Sequence, residues 1–403
     1  MPDPDPASDL PVVRLRPKVE ARAVRHGFPW VYSDELVTDR RTQSLRPGAF
    51  ALLEDDARAP LGLVTVNPAS RIIARVLDRD PSARVTPAWL AARLSRALAL
   101  RDRLYDTPYY RLAHAEADGL PGLIIDRFGE AAVIQPNAAW AETHAPLIAE
   151  ALHAVAGVTT VVKNGTSRAR ALEGLPEETA LLSGTLDGPV AVPMNGATYF
   201  ADLLGGQKTG LFYDQRANHA FAARLSRGQD VLDVFSHVGG FALAALASGA
   251  ASALAVDGSA AALDLASKGA AASGMSDRFA TRKSDAFAAI EALAAEGRRF
   301  GLVICDPPAF APSKPALDAG LRAYERVARL AAPLVAEGGY LCLCSCSHAA
   351  DLAQFRNASA RGIGRAGRRM QLLHTGYAAP DHPTLPQLAE SGYLKALFFR
   401  LEP

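Results

Sequence analysis

Polar side chains follow the short apolar runs in the second half of the chain. Asp233 lies in the first of these runs and leads into a turn, containing Gly239 and Gly240, that opens a predicted helix. Such glycines let the backbone approach a ligand closely at a helix N-terminus. Asp257 ends the next run, where a carboxylate can bind both hydroxyls of a ribose. The third candidate, Asp285, follows Arg282-Lys283-Ser284 and is placed to meet the edge of an adenine.

This ordered set of aspartates predicts a pocket for an adenosine that carries no pyrophosphate. The turn lacks the G-x-G-x-x-G fingerprint, which disfavours a nicotinamide or flavin enzyme. The segment Gly206–Gly210 is not a phosphate loop, because Gln207 stands where the Walker pattern requires glycine. S-adenosylmethionine is the cofactor that fits these conditions. Each aspartate alone has a simpler interpretation, since Asp at a strand end often only caps the next helix.

A second chemical segment, Asp306-Pro307-Pro308-Ala309, directly follows another apolar run. The two prolines fix the backbone past the strand end and hold Asp306 and the neighbouring carbonyls rigidly. Rigid carbonyls beside a sulfonium cofactor suit an enzyme that methylates a planar nitrogenous ring. Enzymes that methylate exocyclic amines usually have an aromatic residue after the two prolines, so Ala309 counts against that reaction.

Cys346 is the candidate nucleophile. It lies at the carboxyl tip of the last apolar run, where ligands bind in open α/β sheets. A thiolate that adds to carbon 6 of a pyrimidine makes carbon 5 nucleophilic enough to take a methyl group. Because a free thiol is mostly protonated near neutral pH, we expect some activation. His348 and the positive charge of the cofactor both remain open as its source.

The cysteine spacing allows two other interpretations. Cys305, Cys342 and Cys344 are expected to be small core residues, and Cys346 could be a fourth. A zinc site is the other interpretation, because alternate residues of a strand share one face. Successive cysteines stand about 6.6 Å apart along a strand, however, and zinc–sulfur bonds of about 2.3 Å need closer sulfurs. We therefore expect no metal site.

The elements that position these residues fall into three regions of an α/β protein. Apolar runs that alternate with alanine-rich helical stretches predict a doubly wound, Rossmann-like parallel sheet over residues 193–403. Short β runs separated by turn residues predict a small β-barrel over residues 10–82. Helix, two strands, helix and strand predict a small α/β domain over residues 83–192. Residues 1–9 are expected to be a disordered tail.

Composition excludes several classes of protein. The chain has 43 Lys and Arg against 42 Asp and Glu, so any nucleic-acid contact needs a local basic patch. Basic residues of the predicted barrel are candidates for it: Arg14, Arg16, Lys18, Arg22, Arg25, His26, Arg71 and Arg75. Cysteines confined to one segment argue against a secreted disulfide framework. An acidic, proline-rich start and the lack of an 18-residue apolar run favour a soluble, cytoplasmic protein without a membrane partner.

Several motifs resemble the class I ribosomal-RNA cytosine-5 methyltransferases of the RlmI-like group. The resemblance in the last domain is carried by Gly206–Arg216, Phe235–Phe241, Asp306–Phe310 and Ser345–Ser347. The remaining motifs are similar to that family's N-terminal PUA domain, central domain and C-terminal signature: Arg25–Ser33, Glu116–Asp126, Asp381–Pro386 and Tyr393–Lys395. The resemblance therefore covers nearly the whole chain, in order.

The resemblance implies an enzyme that uses S-adenosylmethionine to form 5-methylcytidine in large-subunit ribosomal RNA. It implies Cys346 as the covalent nucleophile and Asp306 at the base and at the methionine end of the cofactor. The residues that it implies as further cofactor contacts are Phe235, Ser236, Gly239, Asp257 and Asp285. The family usually has Tyr-Thr in place of His237-Val238, which could alter cofactor affinity. It also has an Asn-bearing helix where this chain has Gly269 and Ser273, a change expected to loosen the helix.

The sequence is also compatible with two alternative functions. Relatives with a similar Asp-Pro-Pro-x-Phe motif methylate a ring nitrogen of guanine, and they need no thiol, so Ser345-Cys346-Ser347 separates the two reactions. A non-catalytic RNA-binding or ribosome-assembly protein would keep the barrel but lose the strand-end carboxylates. The sequence leaves the oligomeric state open, with a homodimer as one option.

Overall fold

The computed structural model describes residues 10–206 and 210–402. The predicted tail, residues 1–9, and part of the rejected phosphate loop, residues 207–209, lie outside the described residues. The described parts of Met1–Gly188, Leu203–Gly210 and Pro383–Ser391 form one compact unit, and those of Pro189–Asp202, Leu211–His382 and Gly392–Pro403 form a second. Within the described ranges no helix is long and apolar enough to cross a lipid bilayer.

A small barrel-like sheet opens the first unit. Its elements are β1 (Val12–Arg14), α1 (Ala21–Arg25), β2 (Trp30–Val31), α2 (Arg40–Gln43), β3 (Ala49–Glu54), β4 (Pro60–Val66) and β5 (Ala74–Asp78). The strands are ordered β1-β3-β4-β5-β2, and only β1 and β3 pair in parallel. Val13, Leu53 and Val64 lie in its buried core. The predicted barrel is therefore confirmed.

A mixed sheet with helices completes the first unit. Its elements are α3 (Pro87–Leu104), β6 (Tyr109–His114), β7 (Leu123–Phe128), β8 (Ala131–Pro136), α4 (Ala139–Thr143), α5 (Ala145–Ala156), β9 (Thr160–Asn164), α6 (Arg168–Leu172) and β10 (Thr179–Ser183). The strands are ordered β10-β9-β8-β7-β6. The sequence predicts one helix over residues 140–155, but two short helices form instead. Pro146 has no amide hydrogen with which to continue the first of them.

The second unit is a doubly wound α/β domain. Its elements are β11 (Val190–Met194), β12 (Ala197–Ala201), α7 (Arg216–Leu225), β13 (Asp230–Val234), α8 (Gly240–Ala247), β14 (Ser252–Asp257), α9 (Ala260–Ala272), β15 (Phe279–Lys283), α10 (Ala286–Ala295), β16 (Phe300–Cys305), α11 (Leu317–Ala331), β17 (Val335–Ser345), α12 (Leu352–Arg365), β18 (Arg369–Gly376) and β19 (Lys395–Glu402). The main sheet has the order β15-β14-β13-β16-β17-β19-β18, and β11 pairs with β12 apart from it. Strands β13 to β17 pair in parallel, which confirms the predicted fold class.

The last strand of the chain lies inside this sheet. The sequence predicts edge strands at residues 371–373 and 394–401, and only the first prediction is correct, because β19 lies between β17 and β18. β19 is antiparallel to both neighbours, and its Phe398 and Phe399 are buried. An aromatic pair of this kind suits a central strand that is covered on both faces.

Gly269 lets helix α9 pack tightly against β12. A Cβ atom at this position would lie 2.7 Å from the carbonyl oxygen of Thr198 and 2.8 Å from Cδ1 of Leu243. Ser273, on the same side of the helix end, accepts a hydrogen bond from the Thr198 amide at 2.9 Å. These two residues thus dock the helix on the neighbouring strand, a role that the sequence does not predict, and the expected loosening of the helix stays a prediction.

We expect Gly269→Ala to lower the free energy of unfolding by about 1–3 kcal/mol, because the added methyl group forces α9 away from the β12 backbone. The effect opposes the intrinsic preference, since alanine is the better helix former by about 1 kcal/mol. Gly364→Ala in α12 is the matched control, because nothing lies within 4 Å of its added Cβ. Urea unfolding of both variants checks the prediction, and equal stabilisation of both would contradict it.

Candidate active site

The carboxyl ends of β13, β16 and β17 bring the predicted site segments to one edge of the sheet. In the parallel register Val234 pairs with Cys305, and Cys305 pairs with Leu343. The next residue after the β16 end, Asp306, donates its amide to the Val234 carbonyl at 3.2 Å. Cys346 lies one residue past the end of β17. The topology thus gathers the turn after β13, the Asp306 segment and the Cys346 segment in the same region.

The turn between β13 and α8 is held in an unusual backbone conformation. Phe235 and His237 have φ of 64° and 49°, and Gly239 has φ of 79°. Side-chain-bearing residues in the left-handed region are strained, and such residues cluster at ligand-binding sites. Asp257 stabilises the turn, because its Oδ2 accepts the His237 amide at 2.9 Å while its Oδ1 accepts the Ser259 amide at 2.8 Å.

Two oxygens at this turn are buried without a hydrogen-bond partner among the described residues. They are Oδ1 of Asp233 and Oγ of Ser236. The other Asp233 oxygen accepts the Ala242 amide at 2.9 Å. Burial, with the nearby carboxylates of Asp306 and Asp257, raises the pKa of Asp233 to about 8. Buried polar atoms normally have partners, so this pair fits a ligand with a cationic or hydrogen-bonding end, as S-adenosylmethionine has.

The predicted adenosine contacts differ in their surroundings. Asp285 is exposed and is the N-cap of α10, where its Oδ1 accepts the Ala288 amide at 3.0 Å. The capping interpretation therefore accounts for its observed contact, and its role at an adenine stays a prediction. Asp257 is partly buried and caps no helix, since Ser259 is the N-cap of α9.

Gln215 is a site residue that the sequence does not predict. It is buried, and its Nε2 donates to Oδ2 of Asp306 at 2.9 Å. Its Oε1 accepts a hydrogen bond from Asn218 at 2.7 Å, which orients the amide. Gln215 lies in the segment Gly206–Arg216 that carries the resemblance, but nothing in the sequence indicates which strand end it meets.

Cys346 differs from the other three cysteines in its accessibility. It is half-buried, whereas Cys305, Cys342 and Cys344 are buried, as expected for core residues. Burial raises the pKa of each of these three thiols, so they stay protonated. Of the four sulfurs, that of Cys346 is therefore the one available to a reactant.

A buried hydroxyl network holds both neighbours of Cys346. The Tyr324 hydroxyl lies 2.9 Å from Oγ of Ser345 and 2.7 Å from Oγ of Ser347. The amide of Ala311 donates to Oγ of Ser347 at 3.0 Å. The segment that carries Cys346 is thereby tied to the loop that follows Asp306. The sequence does not predict that these two serines and Tyr324 hold the Cys346 segment.

The geometric argument against a metal site needs correction. The Sγ atoms of Cys342 and Cys344 lie 3.7 Å apart, so the side chains converge although the strand rise separates their backbones. No group of three or more His, Cys, Asp or Glu side chains that could hold a metal ion occurs in the described part of the chain. The pair is fully buried and makes a core contact.

The predicted basic patch of the barrel is smaller than the sequence indicates. Arg14 pairs with Glu54 at 2.8 Å, and Arg25 pairs with Asp55. Arg75 pairs with two carboxylates, Glu116 at 3.0 Å and Glu173 at 2.9 Å. The exposed basic residues of the set are Arg16, Lys18, Arg22, Arg25, His26 and Arg71.

Family models match most of the chain. A PUA-like domain model matches residues 13–79, and an S-adenosylmethionine-dependent methyltransferase model matches residues 152–400. A solved structure of a candidate S-adenosylmethionine-dependent methyltransferase from Streptococcus mutans superposes with a TM-score of 0.80. The match covers 97% of this chain and 100% of that one at 18% identity, which supports the fold.

Curated relatives are similar over almost their whole length. A ribosomal RNA large subunit methyltransferase of Deinococcus radiodurans is 34% identical to this chain. The match covers 98% of this chain and 99% of that protein. The ribosomal RNA large subunit methyltransferase I of Shewanella amazonensis is also 34% identical, and the match covers 96% of this chain and 99% of that protein. The chain therefore belongs to the S-adenosylmethionine-dependent methyltransferases, in the family of the ribosomal RNA large subunit methyltransferases I.

Proposed function

We propose that this enzyme methylates carbon 5 of a cytidine in large-subunit ribosomal RNA, with Cys346 as the covalent nucleophile. The observation that carries the proposal is the place of this one accessible thiol, at the sheet edge that also holds Asp233 and Asp306. A thiol at this position has no use in methylation of a guanine ring nitrogen. The substrate class follows the names of the relatives and the PUA-like domain.

The chemistry requires a temporary bond to the base. The Cys346 thiolate adds to carbon 6, and the electron pair of the 5,6 double bond becomes available at carbon 5. S-adenosylmethionine supplies the methyl group on a cationic sulfur, which leaves as a neutral thioether. A base then removes the carbon-5 proton, the double bond re-forms, and the thiolate is expelled from carbon 6. The thiol is thus regenerated without any oxidant or reductant.

The polar groups of the site divide this work. We assign the cationic methionine end of the cofactor to Asp233 and Ser236, whose buried oxygens lack partners among the described residues. Asp257 takes the ribose, and it also holds the turn through the His237 amide. Asp306, oriented by Gln215, meets the target base and the methionine end. Phe235, Gly239 and Asp285 complete the proposed cofactor contacts.

The barrel serves in this proposal as an RNA-docking domain. Its exposed basic residues contact phosphate and sugar, while RNA shape selects the target, as is common for RNA-binding modules. A homodimer and a cytoplasmic location stay predictions.

Product analysis tests the proposal directly. The enzyme is incubated with labelled S-adenosylmethionine and large-subunit ribosomal RNA, naked and assembled, from cells that lack the protein, and the nucleosides are separated. Labelled 5-methylcytidine supports the proposal. A labelled guanosine would establish the ring-nitrogen reaction instead, and no cofactor binding at millimolar concentration would favour the assembly role.

We expect Cys346→Ala to abolish methyl transfer while leaving the Kd for S-adenosylmethionine within about twofold, because the thiol acts on the base. With RNA containing 5-fluorocytidine, the native enzyme should form a covalent adduct, since fluorine at carbon 5 cannot leave as a proton. Cys342→Ala is the matched control, because it removes a buried thiol of the same strand. Turnover by Cys346→Ala, or an adduct at another residue, would refute the nucleophile.

We expect Asp233→Asn to raise the free energy of unfolding of the cofactor-free enzyme at pH 8 by about 1–3 kcal/mol. With a folded-state pKa of about 8, the carboxyl keeps a proton in the folded state that the unfolded chain releases above about pH 4. The ionisable carboxyl of Asp233 therefore lowers the free energy of unfolding by a growing amount as the pH rises from 5 to 8. The stabilisation that Asp233→Asn produces should accordingly be smaller at pH 5 than at pH 8. Cofactor affinity should fall at the same time.

Urea unfolding across this pH range and calorimetric titration of S-adenosylmethionine measure the two effects. Asp230→Asn is the control, because Asp230 is exposed at the opposite end of the same strand. A stability difference that does not change with pH would contradict the assignment.

A further inference from the structure

Lys395 is a buried cation outside the groups that the proposed reaction uses. Its side chain is 6% exposed, and Nζ donates to the carbonyl oxygens of Ser347 and Ala350, both at 2.7 Å. Among the described residues no carboxylate oxygen lies within 4.0 Å of this nitrogen. A buried charge without a counter-ion is costly, so lysine is almost never buried unpaired. An anion beside the ammonium would therefore be strongly favoured.

The ammonium lies at the turn that carries Cys346. Lys395 is the first residue of β19, and its backbone pairs with Ser345, the residue directly before Cys346. The two carbonyls that it binds belong to the residues one and four positions after Cys346. Burial lowers the pKa of Lys395, and the negative charges that Cys346 and Asp351 carry when ionised oppose this shift.

We propose that Lys395 positions the turn 347–350 and provides the positive charge that stabilises the thiolate of Cys346. This inference rests on the proposed nucleophilic function of that thiol. The thiol loses its proton to solvent, and the ammonium keeps all three of its own protons. The thiolate and the buried ammonium then attract each other until the sulfur bonds to carbon 6 of the base.

Three other titratable groups lie around this turn, and each has a contact of its own. Tyr324 is buried and its pKa is raised by burial, so its phenol stays neutral and serves the neighbouring serines through hydrogen bonds. His348 is exposed and its ring packs on Tyr393, with centroids 5.5 Å apart. Asp351 is exposed and caps α12 by accepting the Gln354 amide at 2.7 Å.

Asp306, on the neighbouring strand end, is an acidic residue and cannot supply a positive charge. Its Oδ2 is held by Gln215 at 2.9 Å. The buried ammonium of Lys395 is thus a cation that the protein itself places at the turn of Cys346, and it is present before any cofactor binds.

Alkylation of the thiol tests this inference without any methyl transfer. The rate of iodoacetamide modification of the folded, full-length enzyme is measured against pH. Cys305, Cys342 and Cys344 are buried, so the rate reports Cys346, and Cys346→Ala gives the background. We expect Lys395→Gln to move the midpoint of the profile upward by about one pH unit or more, which slows alkylation at pH 7 by about tenfold. Lys314→Met, which removes an exposed charge of the same unit, should leave the midpoint unchanged.

The wild-type profile is a second test that holds even if Lys395→Gln fails to fold. A wild-type midpoint below about 8.5, the value of a free thiol, supports the charge, and a midpoint at or above it overturns the inference. A folded Lys395→Gln enzyme with an unchanged midpoint also overturns it, because a purely structural lysine would affect stability alone. Failure of the proposed function is separate: it would appear as a product other than 5-methylcytidine, whatever the alkylation profile.

Discussion

Strands β13, β14, β16 and β17 pair in parallel, and this pairing decides where each segment of the candidate site lies. Each of these strands is followed by a crossover connection, so their carboxyl ends open at the same edge of the sheet. The register leaves little freedom, because a slip of one residue would turn every buried side chain to the opposite face. The loops that follow these strands differ in sequence, but the strand register fixes their positions relative to one another.

The electrostatics of this edge are divided into two regions of opposite sign. The carboxylates of Asp233, Asp257 and Asp306 gather at the ends of β13, β14 and β16, and burial keeps the first of them largely protonated. The ammonium of Lys395 lies at the end of β17. A cationic methyl donor suits the first region and an anionic sulfur suits the second. In the proposed reaction, this division places the methyl donor and the thiolate in separate regions, with the target base between them.

Much of the site follows from sequence because the residues concerned are local to a strand end. The aspartates, the turn glycines and Cys346 each come directly after an apolar run, and a parallel sheet decides that such ends converge. Gln215 and Lys395 could not be assigned in this way. Gln215 meets a partner 91 residues away, and Lys395 meets one 48 residues away, so their roles depend on packing and strand register. The docking role of Gly269 depends on a tertiary contact as well, whereas the split of the helix at Pro146 is a local effect that the sequence already contains.

The position of β19 in the sheet has a consequence for synthesis on the ribosome. β17 ends at Ser345, while its antiparallel neighbour begins only at Lys395. A nascent chain that has emerged as far as β17 can assemble the parallel strands, but it presents an unpaired strand edge, which attracts other chains. The proposed cofactor residues can thus assemble during synthesis before Lys395 has joined the turn that carries Cys346.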